Sequence, residues 1–154
     1  MKIQKGWTND SEVWKALPNK IKEGKWTTVR AASFTRSRVP NKSGVYIFSS
    51  IPPRHIKSMK LRGFKTPLYI GKSINLKKRF TAHLKNPIVK GLRKTFGLSL
   101  EFNYLILDPI KEIELKQYEQ CLINCFGPQF NEINSVKTGK AVNATISTKF
   151  VDLL

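Results

Sequence analysis

The sequence predicts an α/β domain. Three observations predict it: two short runs of strand formers joined by a basic, turn-rich stretch, a third run that alternates in character, and three stretches with helical traits. At 154 residues the chain is long enough for one domain with a single core, and 40% hydrophobic against 25% charged residues is a globular balance.

Residues 1–39 read as an N-terminal arm. They hold all three tryptophans, Trp7, Trp14 and Trp26, and a short helix that Asn9, Asp10 or Ser11 caps and that closes before Pro18. The tryptophans have two readings at this point, anchors of the arm on the core or platforms on which bases stack. The turn Pro40-Asn41-Lys42-Ser43-Gly44 leads into Val45-Tyr46-Ile47-Phe48, the first strand, and Pro67 introduces Leu68-Tyr69-Ile70-Gly71, the second. The pair is expected to form a hairpin with a long basic loop. A helix over 75–85 follows, capped by Ser73 or Asn75, with Leu76, Phe80 and Leu84 repeating at i, i+4 and i+8. A second helical piece covers 87–95, weakened by Gly91. The third strand runs from Leu98 to Leu107 and stops at Asp108-Pro109, and a last helix over 111–126 ends at Gly127-Pro128.

Charge narrows the function. Lys plus Arg number 28 against 10 Asp plus Glu, a net charge of +18. No acidic residue falls between Glu23 and Glu101, where 18 Lys and Arg do. A surface this positive repels itself and calls for a polyanionic partner. Its cations are scattered among Phe, Tyr, Ile and Leu of a folded segment, which fits a phosphate backbone better than a membrane surface. No stretch reaches the ~18 consecutive apolar residues of a membrane helix, and the start has no apolar signal-peptide region, so an intracellular, cytoplasmic protein is expected. Cys121 and Cys125 have no second Cys or His pair to complete a zinc site and read as reduced thiols.

Arg79 and His83 are four residues apart and share one helix face, beside the apolar face of Leu76, Phe80 and Leu84. Glu119 is the most informative carboxylate. On a wheel of about 100° per residue it falls inside the stripe of Leu115, Leu122 and Phe126. A carboxylate aimed at a core is costly unless it meets a cation, which is either a lysine or a metal ion.

Gly44-Val45-Tyr46, then Tyr69-Ile70-Gly71-Lys72 with Arg79 ten residues after the tyrosine and His83 four further on, then Tyr118-Glu119-Gln120 and, twelve residues from Glu119, Asn131 of Pro128-Gln129-Phe130-Asn131, resemble the GIY-YIG nuclease family. The likeness covers roughly residues 40–134, leaving 135–154 as a C-terminal extension. It implies an α+β fold with a small antiparallel three-stranded sheet flanked by helices. It also implies a DNA endonuclease that hydrolyses phosphodiesters with one divalent metal, Mg2+ with Mn2+ as substitute, held by Glu119. Arg79 would clamp the scissile phosphate. Tyr69, Tyr46 or His83 would help deprotonate the attacking water, a tyrosine near Arg79, Lys72 and the metal having its pKa of about 10 lowered toward neutrality. Asn131 would organise the edge of the site, and Gly71 would let the backbone approach closely.

Tyr46 and Tyr69 lie 23 residues apart, longer than in compact repair-type members and closer to restriction-type ones. The inserted loop reads as groove-tracking or as plain solvated chain. With Arg54, Lys57, Lys60 and Arg62 in it, and Lys77 and Lys78 beside Arg79, it supplies the candidate DNA-binding cations. No helix-turn-helix or zinc finger follows the core, unlike many intron-encoded homing members. The expectation is a site-selective, restriction-like endonuclease on double-stranded DNA, acting as a homodimer or higher oligomer because one site cuts one strand. The alternatives are an intron-encoded or phage mobility nuclease and an inactive nucleic-acid-binding module on the same fold.

Overall fold

The computed structural model describes residues 6–53, 55–94, 99–128 and 130–131, with only the backbone of Arg62. Arg54, the side chain of Arg62 and the C-terminal extension lie outside the described residues.

Two strands carry the two tyrosine motifs. β2 (Gly44–Ile51) alternates Val45 and Ile47 on one face with Tyr46 and Phe48 on the other, and all four are buried. It therefore has to be covered on both sides. β3 (Thr66–Ser73) pairs with it antiparallel, Tyr46 opposite Gly71 and Phe48 opposite Tyr69, with a register shift between Phe48 and Ser49. β4 (Ser99–Ile106) pairs antiparallel with the other side of β2.

The sheet has four strands, not the three expected, in the order β1-β4-β2-β3. The addition is β1 (Thr27–Arg30), which pairs antiparallel with residues 101–104 of β4. Four residues with only Val29 buried are too short to show alternation, so the strand's Thr-Thr-Val sequence is its only signal. The arm is thereby stitched into the sheet.

Helices cover both faces. On one lie α4 (Leu76–Lys85) and α5 (Pro87–Lys94), whose Leu76, Phe80, Val89 and Leu92 pack with Tyr46, Phe48, Phe102 and Tyr104. The Asn75 side chain caps α4 by accepting from the Lys78 N–H at 2.9 Å. On the other face lies α6 (Glu112–Phe126), with Leu115, Tyr118, Leu122 and Cys125 against Val45, Ile47, Ile70 and Leu105. It opens with Glu112 and Glu114, which suit the positive helix end, and closes at Gly127, whose φ of 49° is left-handed. Cys121 and Cys125 are free thiols.

Two short helices of the arm, α1 (Ser11–Lys15) and α2 (Asn19–Lys22), complete this second layer through Val13 and Trp14 of the first, Ile21 of the second and Leu17 between them. Asp10 caps α1. The tryptophans are mostly anchors: Trp14 donates its indole N–H to the Thr8 carbonyl at 2.9 Å and meets Phe126 edge-on, and Trp26 donates to the Ile21 carbonyl. Trp7 also packs on Trp14 and Phe126 yet stays 62% exposed. The long β2–β3 connection holds one more helical turn, α3 (Met59–Arg62), and a 3-10 helix spans Ser33–Arg38.

Candidate active site

β3 is an edge strand, and the predicted residues gather along it. Tyr46 points from the neighbouring strand toward α4, where its hydroxyl accepts the Arg79 Nε–H at 2.9 Å and lies 2.8 Å from His83 Nε2. The phenol oxygen has two lone pairs and one proton, so it accepts from Arg79 and shares one further hydrogen bond with His83 Nε2, whose direction follows the imidazole tautomer. Burial and the nearby Arg79 charge push the His83 pKa down to about 4, which keeps the imidazole neutral near pH 7.

The expected lowering of a tyrosine pKa is not found at Tyr46. Its ring is fully buried, and loss of hydration pushes the phenol pKa far up; Tyr69 adds to the rise, and the opposing pull of Arg79 is smaller. Removing a phenol from water favours its neutral form more strongly than one half-solvated guanidinium favours the anion. Tyr69 is placed differently. It is half-buried, its ring centroid is 6.0 Å from that of Tyr46 and 5.4 Å from His83, and with Arg79, His83 and Asn86 it lines a cleft of about 200 Å³ that Tyr46 does not reach.

Gly71 closes the back of this arrangement. A Cβ there would lie 2.3 Å from the Tyr46 hydroxyl oxygen and 2.5 Å from its ring carbon, so any side chain would displace the phenol that holds Arg79 and His83.

Lys72 and Glu119 meet on the other face of β3. Glu119 is half-buried in α6, and desolvation raises its pKa; the Lys72 charge and backbone N–H oppose this first, then Arg79 and Lys116. Its carboxylate has no salt bridge among the described residues, because the Lys72 ammonium pairs with Glu112 at 3.0 Å. Glu112 is a partner that residue patterns did not reveal. Sequence spacing placed it in the first turn of a helix, with nothing to show that the turn passes Lys72. Arg79 acts on both Tyr46 and Glu119, so the edge of β3 unites the two faces.

Asn131 forms the edge itself. Its amide accepts from the Ile70 N–H at 2.8 Å and donates to the Ile70 carbonyl at 2.7 Å, and the Phe130 N–H bonds the Leu68 carbonyl. The outer hydrogen-bonding groups of Ile70 and the Leu68 carbonyl are thus satisfied by the Asn131 amide and the Phe130 backbone in place of a fifth strand. Of the candidate DNA-binding cations, Lys57, Lys60 and Lys78 are exposed and Lys77 is half-buried.

The donor set decides which metal fits. Among the described residues no group of three or more His, Cys, Asp or Glu is placed to hold an ion, which does not fit zinc. A lone, partly desolvated carboxylate without a salt bridge fits a hard divalent cation that keeps most of its water.

A guanidinium held in place beside a phenol and an imidazole, with a metal-ready carboxylate across one strand and an excess of cations around, suits attack on a phosphodiester and defines a nuclease domain. The model of the GIY-YIG catalytic domain matches residues 42–134, well over half the chain, and the chain belongs to that family and is a DNA endonuclease. Two solved structures are also similar, both of the GIY-YIG N-terminal endonuclease domain of UvrC from Thermotoga maritima, each a point mutant bound to its catalytic divalent cation. They share 26% and 27% identity, each covering 65% of this chain and 97% of the solved one with a TM-score of 0.41. No curated protein matches. Among the described residues no helix is long and apolar enough to cross a membrane.

Proposed function

We propose that the chain is a site-selective, restriction-like endonuclease of double-stranded DNA, with Mg2+ as its ion and Mn2+ as an effective substitute, in which residues 40–134 form the catalytic core and 1–39 an extension integral to its sheet. The observation that carries this reading is Glu119: half-buried, unpaired by any salt bridge among the described residues, and within the field of Lys72 and Arg79. Glu119 would hold the cation. When bound, the ion neutralises charge growing on the phosphate and on the leaving 3′-oxygen.

The remaining roles follow from position. Arg79 clamps the scissile phosphate from the α4 side, its plane set by Tyr46. Tyr69 faces the cleft and takes the proton of the attacking water, His83 orients the hydroxyls around it, and the buried Tyr46 positions both Arg79 and His83. Lys72, tied to Glu112, adds positive potential at the β3 edge, and Asn131 holds that edge straight. Lys57, Lys60, Lys77 and Lys78, with Arg54 and Arg62, contact backbone phosphates.

The long β2–β3 insertion supports the restriction-like reading, and two protomers on one DNA would give a double-strand break. The test is to incubate the protein with Mg2+ and a random-sequence DNA pool and to sequence the ends. A shared motif at both ends is expected. Cleavage without sequence preference overturns site selectivity, and absence of metal-dependent cleavage favours the inactive binding module.

A further inference from the structure

The β2–β3 connection carries a feature that phosphate binding does not use. Met59 is 79% exposed, Leu61 51% and Phe64 70%, three large apolar side chains within six residues. They lie on and just after α3, with the Phe64 N–H bonded to the Leu61 carbonyl, and alternate with cations: Lys57, Met59, Lys60, Leu61, Arg62, Phe64, Lys65.

Exposed apolar groups in a soluble chain mark a contact, and the interleaved charges choose the partner. The core of a protein–protein interface excludes lysine, and a second copy of this chain brings +18 of its own. An anionic membrane takes a longer amphipathic helix than the four residues of α3. Duplex DNA meets both needs at once, with phosphates for the lysines and base steps for the apolar tips. The loop also springs from the strands that carry Tyr46 and Tyr69. Thr66, where β3 begins, is three residues from Tyr69, about 10 Å along a strand, so the root of the loop lies close to the proposed site of cutting.

We propose that Met59, Leu61 and Phe64 form a wedge that enters between base steps and kinks the substrate a few base pairs from the scissile phosphate. This rests on the nuclease reading and adds DNA deformation to it. Pyrimidine–purine steps, which unstack most easily, are then favoured at the wedged position, giving selectivity without base hydrogen bonds.

The test compares wild type, a Met59→Ser, Leu61→Ser, Phe64→Ser triple variant and a Lys57→Ala, Lys60→Ala pair on end-labelled duplexes without metal, reading the bend by energy transfer between the ends. All the substituted side chains are exposed, and thermal unfolding checks that each variant folds. The triple variant is expected to bind with an unchanged salt slope and to lose the bend. The lysine pair is expected to keep the bend and lose roughly 2 from the salt slope. A triple variant that bends DNA like wild type overturns the wedge. So does one whose DNA bending is intact while binding to anionic phosphatidylserine vesicles is lost, which would assign the patch to membranes. If wild type cuts DNA with Mg2+ but never bends it, only the wedge fails; if it neither cuts nor binds, the nuclease reading fails with it.

Discussion

The buried Tyr46 hydroxyl accepts the Nε–H of Arg79 at 2.9 Å, so the residue proposed to meet the phosphate is aimed by one that no substrate can touch. Arg79→Ala should bind DNA and scarcely cut, a loss on the order of 1,000-fold in cleavage rate. Tyr46→Phe removes one hydrogen bond to a charged group and should slow cleavage about tenfold with little change in affinity. The double variant should be slower than Arg79→Ala by less than the Tyr46→Phe factor alone, because the aim of Arg79 no longer counts and only the hold on His83 is lost. Single-turnover rates of the three variants settle this, and fully additive losses would mean that Tyr46 does not act through Arg79.

Glu119→Gln keeps shape and removes the charge that holds a hard cation. Cleavage should vanish with Mg2+ and Mn2+ alike, while DNA binding persists or tightens as an anion leaves a positive site. Without metal the variant should also melt at a higher temperature, since the carboxylate is desolvated and unpaired by any salt bridge among the described residues. Wild-type cutting, or a lower melting temperature, would return Glu119 to a surface role.

Gly71→Ala is expected to be far more damaging than its single methyl suggests. With 2.3 Å to the Tyr46 oxygen, β3 or the phenol must move, at a cost of about 1–3 kcal/mol in urea unfolding. Cleavage should fall by at least as much as in Tyr46→Phe. An active, fully stable Gly71→Ala would show that the phenol yields freely.

His83 predicts how the fold responds to acid. Its folded pKa of about 4 lies below the unfolded value of about 6.5, so its contribution to stability is complete above pH 6.5 and fades as pH falls toward 4. The loss is on the order of 3 kcal/mol across that window. His83→Gln should be less sensitive to pH between 6.5 and 4 in urea unfolding, and an unchanged acid limb would place the imidazole in water.

Much of this site was legible in the chain. The positions of the strands around Tyr46 and Tyr69, though not their full length, the cap of α4, the shared face of Arg79 and His83 and the half-buried setting of Glu119 all depend on local period, and local period survives folding. What escaped depends on distant segments meeting. β1 acquires its role only beside β4, Lys72 finds Glu112 40 residues away, and the Tyr46 pKa rises because strands and helices exclude water from a ring that sequence spacing alone would place among cations. The reason for glycine at 71 is also tertiary, since only the paired register brings the Tyr46 ring over it.

The strand order places β1 and β3 at opposite margins of the sheet, with the proposed catalytic residues at the second. The family match begins at residue 42, after β1 has ended. A fragment cut to the family boundaries would keep every proposed catalytic side chain but strip β4 of its neighbour and bare the backbone groups of residues 101–104. Such a truncation invites self-association through that margin, and the smallest well-behaved active fragment should begin upstream of Thr27.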